Sequence, residues 1–142
     1  MAKPIRGRTL FLDSSYAIAL ASANDEYHQS AVAVSREIVS RKLHVITTRA
    51  VCCEIGNALA KPRYRATAVE FLELLEHSAT AQIIPLREDI YYSSLELFRG
   101  RSDKDWGLTD CISFVVMQQH SISEALTSDE HFEQAGYTAL LR

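Results

Sequence analysis

The sequence predicts an α/β fold, a three-layer α/β/α sandwich with a central parallel sheet. Short apolar runs of strand length alternate with longer stretches of helical periodicity. The first four runs are separated by more than a dozen residues, a spacing for crossover helices rather than hairpins. The runs are also continuously apolar, as strands become when helices cover both faces of a sheet.

The elements follow in order. Thr9-Leu10-Phe11-Leu12 reads as a buried strand ending at Asp13, and Ser14 or Ser15 is positioned to cap a helix through about Ala23. A second helix from about Tyr27 to Arg41 carries Ala31, Val34, Ile38 and Val39, and Leu43 to Thr47 is the next strand. Thr48 is placed to cap a helix through Glu54 to about Ala60, which Lys61-Pro62 breaks. Tyr64 to His77 is helical with Val69, Leu72 and Leu75 inward, and Ala81 to Ile84 is a strand stopped by Pro85. A helix from about Arg87 to Phe98 precedes the polar loop Arg99 to Asp105, and Thr109 is expected to cap an apolar helix to about His120. Glu124 to Thr127 is a fourth strand ending near Asp129, Glu130 to Ala135 a short helix, and Tyr137 to Leu141 a last, edge strand.

The bulk numbers bound this reading. The 142 residues are the size of one domain, taken here as 1–142, with 47% hydrophobic and 23% charged residues. Cys52, Cys53 and Cys111 form neither an even set nor a Cys-x-x-Cys spacing, which argues against a disulfide framework or a cysteine zinc site and favours a cytoplasmic setting. The apolar tract Leu10 to Ala23 contains Asp13, so neither a membrane span nor a signal-peptide core is expected. The net charge of −3 looks wrong for a protein that handles nucleic acid. Setting aside four candidate site acids from 18 leaves 14 against 15 Lys and Arg, or +1, which is compatible with an acidic centre inside a mildly basic rim.

Those four acids are Asp13, Glu54, Asp110 and Asp129. Asp13 directly follows strand one and Asp129 follows strand four after Ser128, and parallel sheets bind ligands beyond the carboxyl ends of their strands. Either residue alone is also a good helix N-cap. Glu54 shares a helix stripe with Val51 and Ala58, where a solvated Glu is not expected, though a boundary Glu reaching water has the same spacing. Asp110 opens the apolar helix, a place the helix dipole favours for any acid. Taken together, four acids at one sheet mouth fit a site for magnesium or manganese, which prefer oxygen ligands. A phosphodiester substrate suits such an ion, which neutralises phosphoryl charge and activates water.

Phe11-Leu12-Asp13-Ser14-Ser15, Glu54 with Asn57, Leu108-Thr109-Asp110-Cys111-Ile112-Ser113-Phe114 and Leu126-Thr127-Ser128-Asp129-Glu130-His131-Phe132 resemble, in order, the motifs of PIN-domain nucleases. The VapC-type toxins of toxin–antitoxin pairs are the nearest likeness. The resemblance implies a magnesium- or manganese-dependent endoribonuclease that leaves a 5′-phosphate and a 3′-hydroxyl, a homodimer, and a cognate antitoxin. It places Asp13, Glu54, Asp110 and Asp129 on the family's acidic positions, with Asp13, Asp110 and Asp129 as metal ligands. Thr127, Ser128 and Asp105 match supporting polar positions. Arg49, Lys61, Arg63, Arg65, Arg99, Arg101 and Lys104 are candidates for RNA phosphate contacts, against ordinary surface charge. His131 is a candidate base that a metal-activated water does not need, and Trp106 is a base-stacking platform or a packing anchor. Two alternatives stand beside this reading. A phosphotransfer α/β domain would want a second acid where Ser14-Ser15 stand, and a non-catalytic PIN module acting by protein binding would tend to lose acids.

Overall fold

A computed structural model describes residues 1–142. Five parallel strands form one sheet in the order β3-β2-β1-β4-β5: β1 Thr9–Leu12, β2 His44–Thr48, β3 Ala81–Ile84, β4 Glu124–Leu126 and β5 Thr138–Ala139. Seven helices complete the chain: α1 Ser14–Ala21, α2 His28–Arg41, α3 Arg49–Ala58, α4 Pro62–His77, α5 Glu88–Gly100, α6 Leu108–Gln119 and α7 Glu130–Gln134.

The layers follow from strand alternation. Leu12, Val45 and Leu126 face Tyr16 and Leu20 of α1, Ile38 of α2, and Phe71 and Leu75 of α4. Phe11 points to the opposite face, where it meets Phe132, and Phe132 packs edge-on against Phe114 of α6 with ring centroids 5.0 Å apart. Leu10, Phe11, Leu126, Met117 and Phe132 are fully buried, and α5 covers α6 from outside. The sheet is thus sandwiched, as the apolar strands require.

Several local expectations need correction. Asp13, not a serine, is the N-cap of α1. Gly107, not Thr109, caps α6, and Asp110 at the third helical position reaches back to the Gly107 N–H. Lys61-Pro62 opens α4 as much as it ends α3, because proline is accommodated in a first turn where its missing N–H costs nothing. Val69 is 49% exposed and Ala68 takes its place in the buried stripe of α4, which runs on through Phe71 and, as expected, Leu72 and Leu75. Ala58 is likewise exposed, while Val51, Cys52 and Ile55 are the buried residues of α3. The last strand is only Thr138–Ala139, although Leu140 and Leu141 remain buried. Thr48 caps α3 as expected, accepting the Val51 N–H at 3.1 Å.

Candidate active site

The chain leaves β1 toward β2 and β3 on one side, then returns to place β4 and β5 on the other. The strand order therefore reverses between β1 and β4, where a crevice opens at the carboxyl ends. Asp13 lies one residue beyond β1, and Asp129 follows Thr127-Ser128 beyond β4. The Asp13 N–H donates to Leu126 O at 3.2 Å, tying the two strand ends together.

Asp13 is only 5% exposed. Thr127 Oγ1 donates to its Oδ2 at 2.7 Å and Ser15 Oγ does so at 2.8 Å. The two hydroxyls lie 3.0 Å apart, Ser15 Oγ accepts the Ser128 N–H at 3.0 Å, and Thr127 Oγ1 accepts the Asp129 N–H at 3.0 Å. This hydroxyl pair locks the turn after β4 onto the turn after β1. Burial raises the Asp13 pKa, opposed by the hydrogen bonds from Thr127 and Ser15.

Asp110 and Asp129 meet His131 across the mouth. His131 Nδ1 lies 3.1 Å from Asp110 Oδ2 and 3.4 Å from Asp129 Oδ1, and donor atoms of all three lie within 4.8 Å of one another. The Gly107 N–H holds Asp110 Oδ2 at 3.0 Å, and the His131 N–H holds Asp129 Oδ1 at 2.9 Å. Each acid is thus fixed by a helix-capping bond on the same oxygen that meets His131. Burial raises the Asp110 pKa, and the charge of Asp129 adds to the rise.

Half-buried Glu54 comes in from α3. Burial raises its pKa first, the charge of Asp13 next, and Asp110 and Asp129 add to it, while a hydrogen bond from Ser14 opposes. Glu54 therefore lies in the electrostatic field of all three aspartates. The structure brings the four sequence-predicted acids together, with Thr127 bonded between two of them. Ser128 takes part through its backbone N–H only, and Asp105 is exposed in the loop before α6 and outside the network. Sequence reasoning passed over Ser15 except as a cap candidate and discounted His131. The available signal was the spacing of each, two residues beyond an acid at a strand end.

The basic candidates divide by their partners. Arg49 is paired with Glu76, Arg99 with Glu96, and Arg101 with both oxygens of Asp103 at 3.0 and 3.1 Å. Lys61, Arg63, Arg65 and Lys104 belong to no ion pair in the molecule. Trp106 is a packing anchor, 6% exposed, edge-on to Phe114 and donating to Gln134 Oε1 at 3.0 Å. A cleft of about 580 Å³ opens at the opposite, amino-terminal edge of the sheet. Its acid, Glu124, is already occupied by the Arg6 and Gly7 N–H groups at 2.9 and 2.6 Å.

The PIN-domain family model matches residues 10–136. A search of curated proteins found no match. Among solved structures, the fold is similar to Mycobacterium tuberculosis VapC20, described as a toxin that cleaves the sarcin–ricin loop. The two share 23% identity over 91% of this chain and 96% of that one, with a TM-score of 0.78. It is also similar to FitAcB from Neisseria gonorrhoeae, at 17% identity over 92% and 94% of the two chains and a TM-score of 0.65. VapBC2 from Rickettsia felis, solved on a DNA fragment from its promoter, matches at 11% identity over 92% and 96%, also with a TM-score of 0.65. With nearly all of β1 to α7 inside the matched region and a similar architecture in these solved structures, the chain belongs to the PIN-domain family and folds as its VapC-type members do.

Proposed function

We propose that this protein is a magnesium- or manganese-dependent endoribonuclease and the toxin of a toxin–antitoxin pair. The observation that carries the reading is the meeting of Asp13, Glu54, Asp110 and Asp129 in one field at the β1–β4 crevice. Four carboxylates are an oxygen donor set suited to a small divalent cation, and their mutual repulsion is what such a cation relieves. In this reading Asp13, Asp110 and Asp129 hold the ion. When bound, the ion offsets phosphoryl charge and makes water a better nucleophile.

The chain's own groups divide the remaining work. Thr127 and Ser15 keep the buried Asp13 oriented, and Gly107 does the same for Asp110. Glu54, with its proton affinity raised, is suited to accept a proton from attacking water as the phosphodiester opens to a 5′-phosphate and a 3′-hydroxyl. Lys61, Arg63 and Arg65, exposed and free of carboxylate partners, are suited to hold the RNA backbone.

RNA as the polymer, a protein antitoxin and a homodimer are drawn from the family and from the toxin structures of like fold. Apolar side chains at the surface support protein partners: Val39 and Leu74, 77% and 64% exposed, border a groove between α2 and α4, and Tyr92 and Phe98 stand out from α5. A cytoplasmic setting is part of the proposal, and no helix is long and apolar enough to cross a membrane. The test is RNA incubated with purified protein and manganese, with and without chelator. Cutting should need the ion and be lost in Asp110→Asn; undiminished cutting in either arm overturns the metal-nuclease reading.

A further inference from the structure

We propose that His131 is itself a metal ligand, so that the site binds its ion through an imidazole nitrogen as well as carboxylate oxygens and favours transition-metal ions over magnesium. The inference rests on the metal-nuclease reading and adds to it a ligand and a selectivity.

Donor geometry comes first. Adjacent ligands of a six-coordinate ion with bonds of about 2.1 Å lie roughly 3.0 Å apart, and opposite ones roughly 4.2 Å. His131 Nδ1 already stands 3.1 Å from Asp110 Oδ2 and 3.4 Å from Asp129 Oδ1, and the three donors fit within 4.8 Å. The two distances from His131 are those of adjacent ligands, reached without moving a side chain.

The two carboxylate donors are also held in place by backbone N–H groups. Asp110 is bonded to the Gly107 N–H, and Asp129 to the His131 N–H. His131, the second residue of α7, follows Asp129 by two positions, so the same turn sets both donors. Side-chain exposures of 24%, 17% and 34% for His131, Asp110 and Asp129 leave a path for a small ion while removing much of the water that would compete.

The rival account is that His131 only donates a hydrogen bond to the two carboxylates. The accounts differ in what happens on metal binding. As a ligand, Nδ1 would offer its lone pair to the ion; as a hydrogen-bond partner only, the ring would stay outside the coordination shell. They also differ in selectivity. Magnesium is held by oxygen and water, whereas an imidazole strengthens binding along the first transition series from manganese through cobalt to nickel.

The experiment uses the full chain with metal alone. Pulsed electron paramagnetic resonance on the manganese-loaded wild type should show nitrogen coupling, absent in His131→Gln. Titration calorimetry should show cobalt binding weakened about tenfold or more in His131→Gln, with magnesium affinity changed by less than about threefold. The wild-type spectrum needs no variant, so a folding defect in His131→Gln does not blunt the test. Manganese bound without nitrogen coupling, or coupling that persists in His131→Gln, overturns the ligand role and leaves the site reading standing. Manganese bound equally well by Asp110→Asn and wild type overturns the site reading itself.

Discussion

Thr127→Val removes one oxygen and, with it, the fastening of the acid cluster. The Thr127 side chain is fully buried, and its hydroxyl donates to Asp13, accepts the Asp129 N–H and meets Ser15 Oγ. Valine keeps the shape and offers none of these. The bond to the Asp13 carboxylate is charge-assisted and worth about 2 kcal/mol, and the Asp129 N–H bond about 1 kcal/mol. Ser15 keeps Asp13 and the Ser128 N–H, so its loss is small. The added methyl returns up to about 0.8 kcal/mol. The net is a loss of about 2 kcal/mol, or roughly 4–8 °C in melting temperature for a chain of this size. The Asp13 pKa, already raised by burial, should climb further without the Thr127 hydrogen bond. Urea unfolding in chelator measures the first quantity, with an unchanged m-value as the check that only stability moved. Manganese affinity should fall with it. Thr127→Ser keeps the hydroxyl, so it should retain manganese affinity and lose only about 1 kcal/mol for the missing methyl. Thr127→Val within about 0.5 kcal/mol of wild type, with manganese affinity intact, would refute the idea that this hydroxyl sets the site.

Two further outcomes test the electrostatics. Asp13, Glu54 and Asp110 all have raised carboxyl pKa values, so the folded state holds their protons more tightly than the unfolded chain. Their contribution must therefore turn against stability as pH rises from the ordinary values of 3.8 and 4.5 through the raised folded values, and stay level above them. Asp110→Asn removes one such group and eases Glu54, so in chelator its melting temperature should exceed wild type by roughly 2–4 °C above that window, about 1 kcal/mol. The gap should close below pH 3.8 and narrow in saturating magnesium. Paired melts across pH check this, and a mutant less stable than wild type at neutral pH would make Asp110 a helix-stabilising residue instead. For RNA binding by a catalytically inactive Asp110→Asn background, replacing Lys61, Arg63 and Arg65 together with Ala should flatten the log K against log salt slope by about 2, near 0.7 per lost phosphate contact. Replacing Arg99 and Arg101, already paired with Glu96 and Asp103, should leave the slope nearly unchanged.

The fold was legible because its signals are local. A four-residue run such as Thr9–Leu12 fits a strand buried on both faces, and the long intervals between the first four runs suit parallel crossover connections. Helix ends were less legible. Asp13 and Gly107 cap where serine and threonine were expected: Asp13 accepts the Ser15 N–H, and Gly107 needs no side chain because Asp110 reaches back to its N–H. On α4, Val69 has the stronger claim to the core by hydropathy, yet the packed structure buries Ala68 instead.

The same division runs through the site. The sequence by itself determined that Asp13 and Asp129 stand at the ends of apolar strands, that Asp110 opens an apolar helix, and that Glu54 interrupts an apolar stripe. It also determined the order of these motifs, because each is written in a window of a few residues. Only the tertiary structure decided that β1 and β4, more than a hundred residues apart in the chain, lie side by side, so that one threonine hydroxyl bridges Asp13 and Asp129. It alone decided that His131 meets Asp110 and that Arg49 is spent on Glu76, whereas the pairs of Arg99 with Glu96 and Arg101 with Asp103 are local to the chain. The physical reason is that periodicity and capping depend on near neighbours, whereas a hydrogen bond or ion pair between distant residues exists only once packing has fixed two elements within about 3 Å of each other's donors and acceptors.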